Sequence, residues 1–341
     1  MFRSSCFIFI LLSSILVARG QLQRYSFTEA KMGSPLTIIL YCQDSIRANS
    51  LSKQCFQLVD HYVDIYSDYI DSSELNRLCA TAGKAEEPTV VSPELYAILW
   101  DSKSAFQQSE GTFDITLGPV TRLWRKARKE KEFPSDSLVK ARLALTGFTK
   151  MQFDTVRKSI LLLQHDMQLD LGGIAQGYIA QKLIDLLKQE GISTALVNVS
   201  GDIVAIGAPP GTNGWTLGIN MPESESELLP KHVLIKDMAI TTSGDVYQFL
   251  EHNGKRYSHI VNPATGYGIT SQRNVTVIAA DGTLADWLTK ACSILPVGKA
   301  KKLAASLHAE VLIVVLKKGK PVLYSTKGFK KYWKQISSQF K

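Results

Sequence analysis

The chain has 341 residues, of which 45% are hydrophobic and 21% charged, the composition of a soluble globular protein with a sizeable core. Its formal net charge is +8, and many of the basic residues lie in two runs, Arg122 to Lys131 and Lys317 to Lys334. No zinc finger, RNP motif or helix-turn-helix accompanies them, so we expect no nucleic-acid partner. We interpret the basic runs as solvated surface, with attraction of small anionic ligands as the alternative.

The N-terminus has the pattern of a secretory signal peptide over residues 1–20. Arg3 precedes an apolar run from Phe7 to Val17, and Ala18-Arg19-Gly20 places small residues where a signal peptidase reads. An uncleaved membrane anchor is the alternative, although the apolar run is shorter than the roughly 20 residues that a spanning helix needs. The remaining chain, residues 21–341, is expected to form a single domain.

Four cysteines remain after removal of the predicted signal peptide: Cys42, Cys55, Cys79 and Cys292. None of them forms a C-x-x-C motif, so a metal or redox motif is weakly supported. An oxidising compartment permits disulfides, but the spacing leaves their pairing open.

The first half of the chain predicts helices with a few short strands. We expect a strand over Pro35–Tyr41, a long amphipathic helix from Asp44 to about Asp68, a short helix within Tyr69–Cys79, a helix over Pro93–Ser109 capped by Ser92, a break at Gly118-Pro119, a short helix from Ser135 to near Gly147, and strands over Lys150–Phe153 and Ser159–Leu163.

The central stretch runs from Leu169 to Gly207. Its apolar lead ends at Asp170 and is followed by Gly172 and Gly173, a helical pattern from Ile174 to Glu190, and two strands, Ala195–Val199 and one that ends at Ile206. Amide groups at such a glycine turn and helix N-terminus favour an anion, which makes a phosphate site plausible. A simple tight turn is the alternative, because the spacing matches neither G-x-G-x-x-G nor a P-loop.

The second half predicts strands first and helices later. We expect a strand over Trp215–Asn220, two strand pieces within Lys231–Thr242, a hairpin over Val246–Val261 closed by Asn253-Gly254, a strand over Asn274–Ala279, helices over Thr283–Leu295 and Val297–Leu307, and a hairpin of Glu310–Leu316 with Lys320–Tyr324. The elements lack a regular βαβ rhythm and no linker divides them. The prediction is therefore one α+β catalytic domain built of two lobes.

The residues that could carry chemistry are carboxylates at turns and one histidine at a strand end. The carboxylates are Asp114, Asp170, Asp202, Asp245 and Asp286, and the histidine is His259. Asp286 with Thr289 on one helix offers oxygen ligands of the kind that suit Mg²⁺. The alternatives are a cap or turn role for each aspartate and a structural role for His259.

The order of these motifs resembles the ApbE family, the FAD:protein FMN transferases. The resemblance spans Met32 to the last strands and consists of MGS at Met32, YIDSSELNRL at Tyr69, GTFDITLGPVTRLW at Gly111, LDLGGIAQGY at Leu169, LVNVSGDIVAIG at Leu196, AITTSGDVYQF at Ala239, GKRYSHIVNPATGYGI at Gly254 and VTVIAADGTLADWLTKA at Val275.

The resemblance implies a T-fold-like α+β domain with FAD, as substrate, in the cleft between two lobes. Positions that match the flavin site are Met32, Tyr69, Thr112, Phe113, Asp114, Asp170, Gln176 and Val261. Gly173 and Asp286 match positions of the Mg²⁺ site, Thr289 is the hydroxyl nearest to its remaining position, and His259 matches the family's base.

The implied reaction joins FMN through a phosphoester to a Ser or Thr of an acceptor protein and releases AMP. With the export signal, the resemblance implies an acceptor that is an electron-transfer protein of the cell envelope, and a location in the periplasm or at the outer face of the inner membrane. An Mg²⁺-dependent FAD pyrophosphatase and a non-catalytic flavin-binding protein are the alternatives.

The sequence departs from the family pattern at three places. Gln176 stands where the family usually has Lys, and the basic run RKARK replaces a glycine-rich segment. Lys290 stands four residues after Asp286, where the family usually has a second metal-binding hydroxyl. Two readings stay open here: Thr289 takes that role, or the Lys290 ammonium occupies the metal position and weakens the dependence on Mg²⁺.

Overall fold

The structure is a computed structural model that describes residues 21–221, 227–244, 248–317 and 320–335. The predicted signal peptide and Asp245 lie outside the described residues. Within those residues, no helix combines the length and the apolar character that crossing a lipid bilayer requires.

Helices and strands are mixed along the chain. The helices are α1 (Ser45–Tyr66), α2 (Glu74–Ala80), α3 (Pro93–Gln108), α4 (Gly118–Glu130), α5 (Asp136–Leu143), α6 (Ala175–Gln189), α7 (Gly282–Ile294) and α8 (Val297–Ser306). The strands are β1 (Gln23–Lys31), β2 (Ser34–Cys42), β3 (Thr89–Val90), β4 (Met151–Asp154), β5 (Ser159–Leu162), β6 (Ala195–Val199), β7 (Asp202–Ile206), β8 (Trp215–Asn220), β9 (Leu228–Ile235), β10 (Met238–Ser243), β11 (Phe249–His252), β12 (Lys255–Ser258), β13 (Arg273–Ala279), β14 (Glu310–Lys317), β15 (Lys320–Ser325) and β16 (Trp333–Gln335).

The main sheet has eight antiparallel strands in the order β1-β2-β6-β7-β10-β13-β14-β15. Alternate residues of a strand point to opposite faces, so each strand supplies two cores. Val197 and Val277 belong to the larger core, which α1, α6, α7 and α8 cover. Leu196 and Ile278 belong to a second core, beneath the three-stranded sheet β16-β9-β8. The predicted α+β class is confirmed.

A third, smaller core is built around Trp124 of α4. It includes Leu117, Leu250 of the β11–β12 hairpin and Val261. The Trp124 indole is fully buried and donates to the carbonyl of Gly266 at 2.7 Å. This core packs α4 against the β11–β12 hairpin and is distinct from the larger core that α1, α6, α7 and α8 cover.

Several elements differ from the sequence prediction, namely the short strands β3 and β16, the outer strand β1 and the helix α4. The sequence does not predict strand β1, the outer strand of the main sheet, because most of its side chains are exposed and only Tyr25 and Phe27 pack against the larger core. The expected break at Gly118-Pro119 is instead the start of α4, which follows a 3-10 turn over Ile115–Leu117. Proline fits the first helical turn because its missing N–H has no partner to bond there.

Helices α6 and α7 cross in close contact through two glycines. A Cβ atom on Gly177 would collide with the carbonyl oxygen of Gly282 and would lie 2.6 Å from Cβ of Asp286. The crossing therefore requires a residue without a side chain at Gly177, and it brings Asp286 of α7 to the N-terminal turn of α6.

The cysteines Cys42, Cys55, Cys79 and Cys292 are all unpaired and buried in the described structure. Burial raises the pKa of the Cys55 thiol to about 12 and that of Cys79 to about 11. These thiols are packing residues of the helical core.

Candidate active site

A cavity of about 750 Å³ lies between the helices α1, α4, α6 and α7. Its wall combines the β1–β2 turn, the end of α1, the loop before α4, the start of α6 and the segment after β12. Every residue that the sequence assigned to the flavin site lines it: Met32, Tyr69, Thr112, Phe113, Asp114, Asp170, Gln176 and Val261. Gly173, His259 and Lys290 also line it, whereas Asp286 and Thr289 do not.

The loop before α4 is held by its own hydrogen bonds. The amide of Phe113 donates to Oγ of Ser109 at 3.0 Å. Oδ1 of Asp114 accepts from the amide and the hydroxyl of Thr116, at 2.8 and 2.7 Å. Burial raises the pKa of Asp114, and these bonds oppose the rise. Asp114 therefore caps the 3-10 turn, as its alternative reading predicts, and also lines the cavity.

Asp170 shapes the glycine turn ahead of α6. Its amide donates to the carbonyl of Ile115 at 2.8 Å, and its Oδ1 accepts from the amide of Gly172 at 2.8 Å. Its Oδ2 lies 3.7 Å from Nη2 of Arg125. The turn thus presents Gly172 and Gly173 to the cavity at the N-terminus of a 15-residue helix, where the helix dipole favours negative charge.

Asp286 is fully buried and both of its carboxylate oxygens have a donor. Oδ2 accepts from the amide of Gly177 at 2.9 Å, and Oδ1 accepts from Nζ of Lys290 at 2.7 Å. Burial lowers the pKa of Lys290, but the Asp286 and Asp202 carboxylates outweigh it and the pKa is raised. Lys290 is therefore a cation that joins the buried Asp286 to the cavity.

Asp202 is the third charged group of this cluster. It lies at the start of β7 and is only 4% exposed. Burial, followed by the charge of Asp286, raises the pKa of Asp202 to about 8, although Lys290 acts in the opposite direction. The cluster is therefore the Asp286–Lys290 ion pair beside Asp202, a buried carboxyl whose pKa is raised.

Thr289 is turned away from the cavity. Its hydroxyl donates to the carbonyl of Asp286 at 2.7 Å, inside helix α7, and its side chain is fully buried. Of the two readings that the sequence leaves open, the structure favours Lys290 as the group beside Asp286.

The residues around Asp286 do not fit the Mg²⁺ site that the family resemblance implies. Both carboxylate oxygens already accept hydrogen bonds, the Thr289 hydroxyl is used within its helix, and an ammonium group lies against Oδ1. A divalent ion at Asp286 would have to displace Lys290.

His259 follows β12 and points into the same cavity. Its amide donates to the carbonyl of Gln248 at 2.7 Å, which fixes the backbone. Its Nδ1 atom is buried and has no hydrogen-bond partner among the described residues. Burial, with the charges of Lys290 and Arg128, lowers the pKa of His259 to about 4. The imidazole is therefore neutral at pH 7 and able to accept a proton.

Two arginines of helix α4, Arg125 and Arg128, line the cavity, whereas the sequence analysis interprets them as solvated surface. Nη1 of Arg125 lies 2.9 Å from Oδ2 of Asp68, and its guanidinium lies 3.9 Å from the centre of the Tyr69 ring. Arg128 lines the cavity, and no ion pair or hydrogen bond joins it to another described residue. The surface interpretation is thus wrong for Arg125 and Arg128. Arg125 and Arg128 are three residues apart and therefore lie on one face of a helix, but this spacing predicts a shared face only if the segment is known to be helical.

Comparison with known proteins gives one consistent result. Residues 32–314 match the model of the ApbE family. An FAD:protein FMN transferase of Klebsiella pneumoniae is 32% identical over 267 residues, covering 78% of this chain and 81% of that protein. One of Treponema pallidum is 30% identical over 292 residues, covering 81% and 80%. The crystal structure of the flavinyl transferase ApbE of Pseudomonas stutzeri, in its apo form, has a TM-score of 0.81 and 28% identity, covering 92% of this chain and 97% of that one.

Proposed function

The chain belongs to the ApbE family, and on this basis we propose that it transfers FMN from FAD to a Ser or Thr hydroxyl of an acceptor protein. The family resemblance that the ordered motifs indicate is thereby confirmed, as is the expectation of a flavin transferase. The phosphoester product, the acceptor residue type and the release of AMP belong to the proposal.

One observation carries the proposal: segments far apart in the chain, each marked by a family motif, meet around a single cavity. Tyr69 follows α1, Phe113 precedes α4, Gln176 begins α6 and His259 follows β12, yet all four line it. A volume of about 750 Å³ lies within the range of about 300 to 1,000 Å³ that ligand pockets occupy. FAD is the substrate whose size and diphosphate suit this site.

The cavity offers different surroundings to the different parts of FAD. The exposed ring of Tyr69, with Arg125 against one face, provides a surface on which a flat heterocycle stacks. The Gly172-Gly173 turn, the N-terminus of α6 and the cations Lys290 and Arg128 favour the diphosphate. We therefore assign a ring of FAD to the Tyr69 surface and its diphosphate to the glycine turn.

His259 is the base in the proposed reaction. The acceptor hydroxyl is a weak nucleophile until its proton is removed, and the neutral imidazole accepts that proton. The hydroxyl oxygen then forms a bond to the FMN phosphorus. The bond from this phosphorus to the bridging oxygen breaks, and AMP leaves with that oxygen and its electron pair. Lys290 and Arg128 stabilise the negative charge that develops on the phosphates.

Mg²⁺ has no step in this proposal. The family resemblance implies a site at Gly173, Asp286 and Thr289, but Asp286 and Thr289 do not fit a divalent ion as they lie here. Stabilisation of the diphosphate is therefore assigned to side-chain cations of the chain.

We propose export for this enzyme, directed by residues 1–20. The pattern of Arg3, the apolar run and Ala18-Arg19-Gly20 supports a cleaved signal, and the envelope location makes an electron-transfer protein there the expected acceptor. Mass spectrometry of the protein from the producing cell tests this, since cleavage gives an N-terminus at Gln21. An N-terminus at Met1 would contradict cleavage.

The proposed function is tested by covalent labelling. The protein is co-expressed with candidate acceptors, which are then denatured and separated from free flavin. FMN on a Ser or Thr, detected by flavin fluorescence and peptide mass spectrometry, is the expected result, and a strain with His259→Ala is the control. Release of FMN and AMP from FAD without labelling would indicate a pyrophosphatase, and unaltered FAD would indicate a flavin-binding protein.

A further inference from the structure

We propose that the Lys290 ammonium takes the place of a divalent cation at Asp286, and that Lys290 and Arg128 together make binding and transfer of the flavin dinucleotide independent of metal ions. This inference rests on the proposed function and concerns how the same site neutralises a diphosphate.

The contacts of Lys290 with Asp286 and with the glycine turn hold its ammonium group in place. Lys290 lies one helical turn after Asp286 on α7, and Nζ is 2.7 Å from Oδ1. Its aliphatic stem runs across the glycine turn, because a Cβ atom on Gly173 would lie only 3.2 Å from Cγ of Lys290. A glycine at this position therefore gives the lysine room to pass. The other oxygen of Asp286 is held by the Gly177 amide, so the carboxylate is fully engaged.

The Lys290 side chain is accessible from the cavity in which the ligand is expected to bind. The Lys290 side chain is 20% exposed and lines the cavity together with Gly173 and His259, whereas Asp286 is fully buried. A ligand phosphate at the glycine turn meets Lys290 before it meets Asp286. A lysine held in this way acts as a fixed point charge for phosphate.

One lysine carries less charge than a divalent ion, and Arg128 supplies more. Asp286 compensates Lys290, and Asp68 and Asp170 lie close to Arg125. Arg128, by contrast, has no carboxylate partner within the described ranges and lines the cavity. Lys290 and Arg128 line the cavity together with His259, and both lower the pKa of that histidine. A guanidinium binds two phosphate oxygens at once, which suits it to a diphosphate.

The first experiment compares metal-free and metal-loaded protein. Wild-type protein is dialysed against EDTA, and FAD binding and acceptor labelling are measured in EDTA and in excess Mg²⁺. We expect FAD affinity and labelling rate to differ less than about threefold between the two conditions. A Mn²⁺ titration followed by electron paramagnetic resonance is expected to detect no stoichiometric site in the ligand-free protein. A tight Mn²⁺ site or an absolute requirement for Mg²⁺ would overturn the inference.

The second experiment changes the cations. Lys290→Met and Arg128→Gln are each expected to weaken FAD at least tenfold in EDTA while leaving the affinity for riboflavin, which has no phosphate, within about twofold. Lys126→Gln is the matched control on α4, because Lys126 is 70% exposed and does not line the cavity. Unchanged FAD affinity in both cavity variants would contradict the inference.

The third variant, Lys290→Thr, restores a hydroxyl four residues after Asp286 and frees Oδ1. We expect it to bind Mn²⁺ and to label an acceptor only when Mg²⁺ is present. Failure of the proposed function is distinguishable: wild type would then label no acceptor with or without Mg²⁺, and the FAD and Mn²⁺ titrations would still decide the role of Lys290.

Discussion

The amide of Gly177 donates to Oδ2 of Asp286 at 2.9 Å, across the closest approach of α6 and α7. A residue of one helix thereby fixes a carboxylate of the other, and Lys290 takes up the remaining oxygen of that carboxylate. The cation at the cavity is consequently positioned by helix packing, and mutations at the crossing are expected to affect both stability and ligand binding.

Gly177→Ala tests this link. The added methyl would collide with the Gly282 carbonyl and force the helices apart, so we expect a loss of about 1 to 3 kcal/mol in the free energy of unfolding. FAD affinity should fall as well, because Asp286 and Lys290 move with α7. Denaturant unfolding and a fluorescence titration with FAD measure the two effects.

Gly298→Ala is the control for the Gly177 variant. Gly298 lies in the first turn of α8, and a Cβ atom there would meet no atom within 4 Å. Alanine has the better helix propensity, so stability should stay the same or rise by up to about 1 kcal/mol. Equal losses from the two substitutions would show that packing at Gly177 is not the cause.

Helix ends could be predicted from the sequence because single side chains determine them locally. Ser92 and Ser135 were predicted to begin helices, and their hydroxyls accept from the amides of Leu95 and Leu138 at 3.1 and 3.3 Å. The hairpin at Asn253-Gly254 is confirmed for the same reason, since Asn253 and Gly254 both have positive φ.

The choice between Thr289 and Lys290 could not be made from the sequence. Both residues lie within one turn of Asp286, and which of them reaches the cavity depends on how α7 is rotated against α6. That rotation is set by the contact of Gly177 with Gly282, which pairs residues far apart in the chain. Arg128 was missed as a cavity residue because α4 itself was not predicted.

Asp202→Asn is expected to change how stability depends on pH. The folded-state pKa of about 8 lies above the ordinary value of 3.8, so folded wild type holds a proton that the unfolded chain loses. The contribution of this proton to the free energy of unfolding is full below about pH 4, declines as the pH rises, and is lost once the pH has passed through about 8. Asparagine cannot ionise and avoids this loss. Between pH 5 and pH 8 the Tm difference should therefore shift in favour of the variant by at least about 2 °C.

Thermal unfolding of both proteins across that pH range provides the measurement. Asp185→Asn serves as the reference, because Asp185 is a half-buried helical aspartate outside this cluster that accepts from Gln181. A constant Tm difference between wild type and Asp202→Asn at all pH values would show that Asp202 is ionised in the folded protein.

Tyr69→Ala should weaken flavin binding without altering the fold. The ring is 73% exposed and contacts the Arg125 guanidinium on one side, so its removal costs little packing. Loss of a stacking surface worth about 0.5 to 1.5 kcal/mol predicts a rise of about 2- to 13-fold in the Kd for FAD. Tyr69→Phe, which keeps the ring, should bind as wild type does, and weak binding by the Phe variant would argue against stacking.

His259→Ala should keep FAD affinity within about threefold and lower the labelling rate at least about 100-fold. The reason is that the imidazole is assigned to the acceptor hydroxyl and not to the phosphates, which the cations hold. Isothermal titration with FAD and the time course of acceptor labelling separate the two properties. Labelling at the wild-type rate would remove His259 from the mechanism.

The pH dependence of kcat/KM for labelling reports the ionisation of His259 in the free enzyme. A base must be unprotonated to accept a proton, and the pKa of His259 is lowered from 6.5 to about 4 by burial and by Lys290 and Arg128. We therefore expect kcat/KM to stay constant as the pH falls from 8 to about 5 and to decline only below that. Arg128→Gln removes one of the two cations, so its acidic limb should move to higher pH. A wild-type limb centred near 6.5, or one that Arg128→Gln leaves in place, would show that the cations do not act on the base.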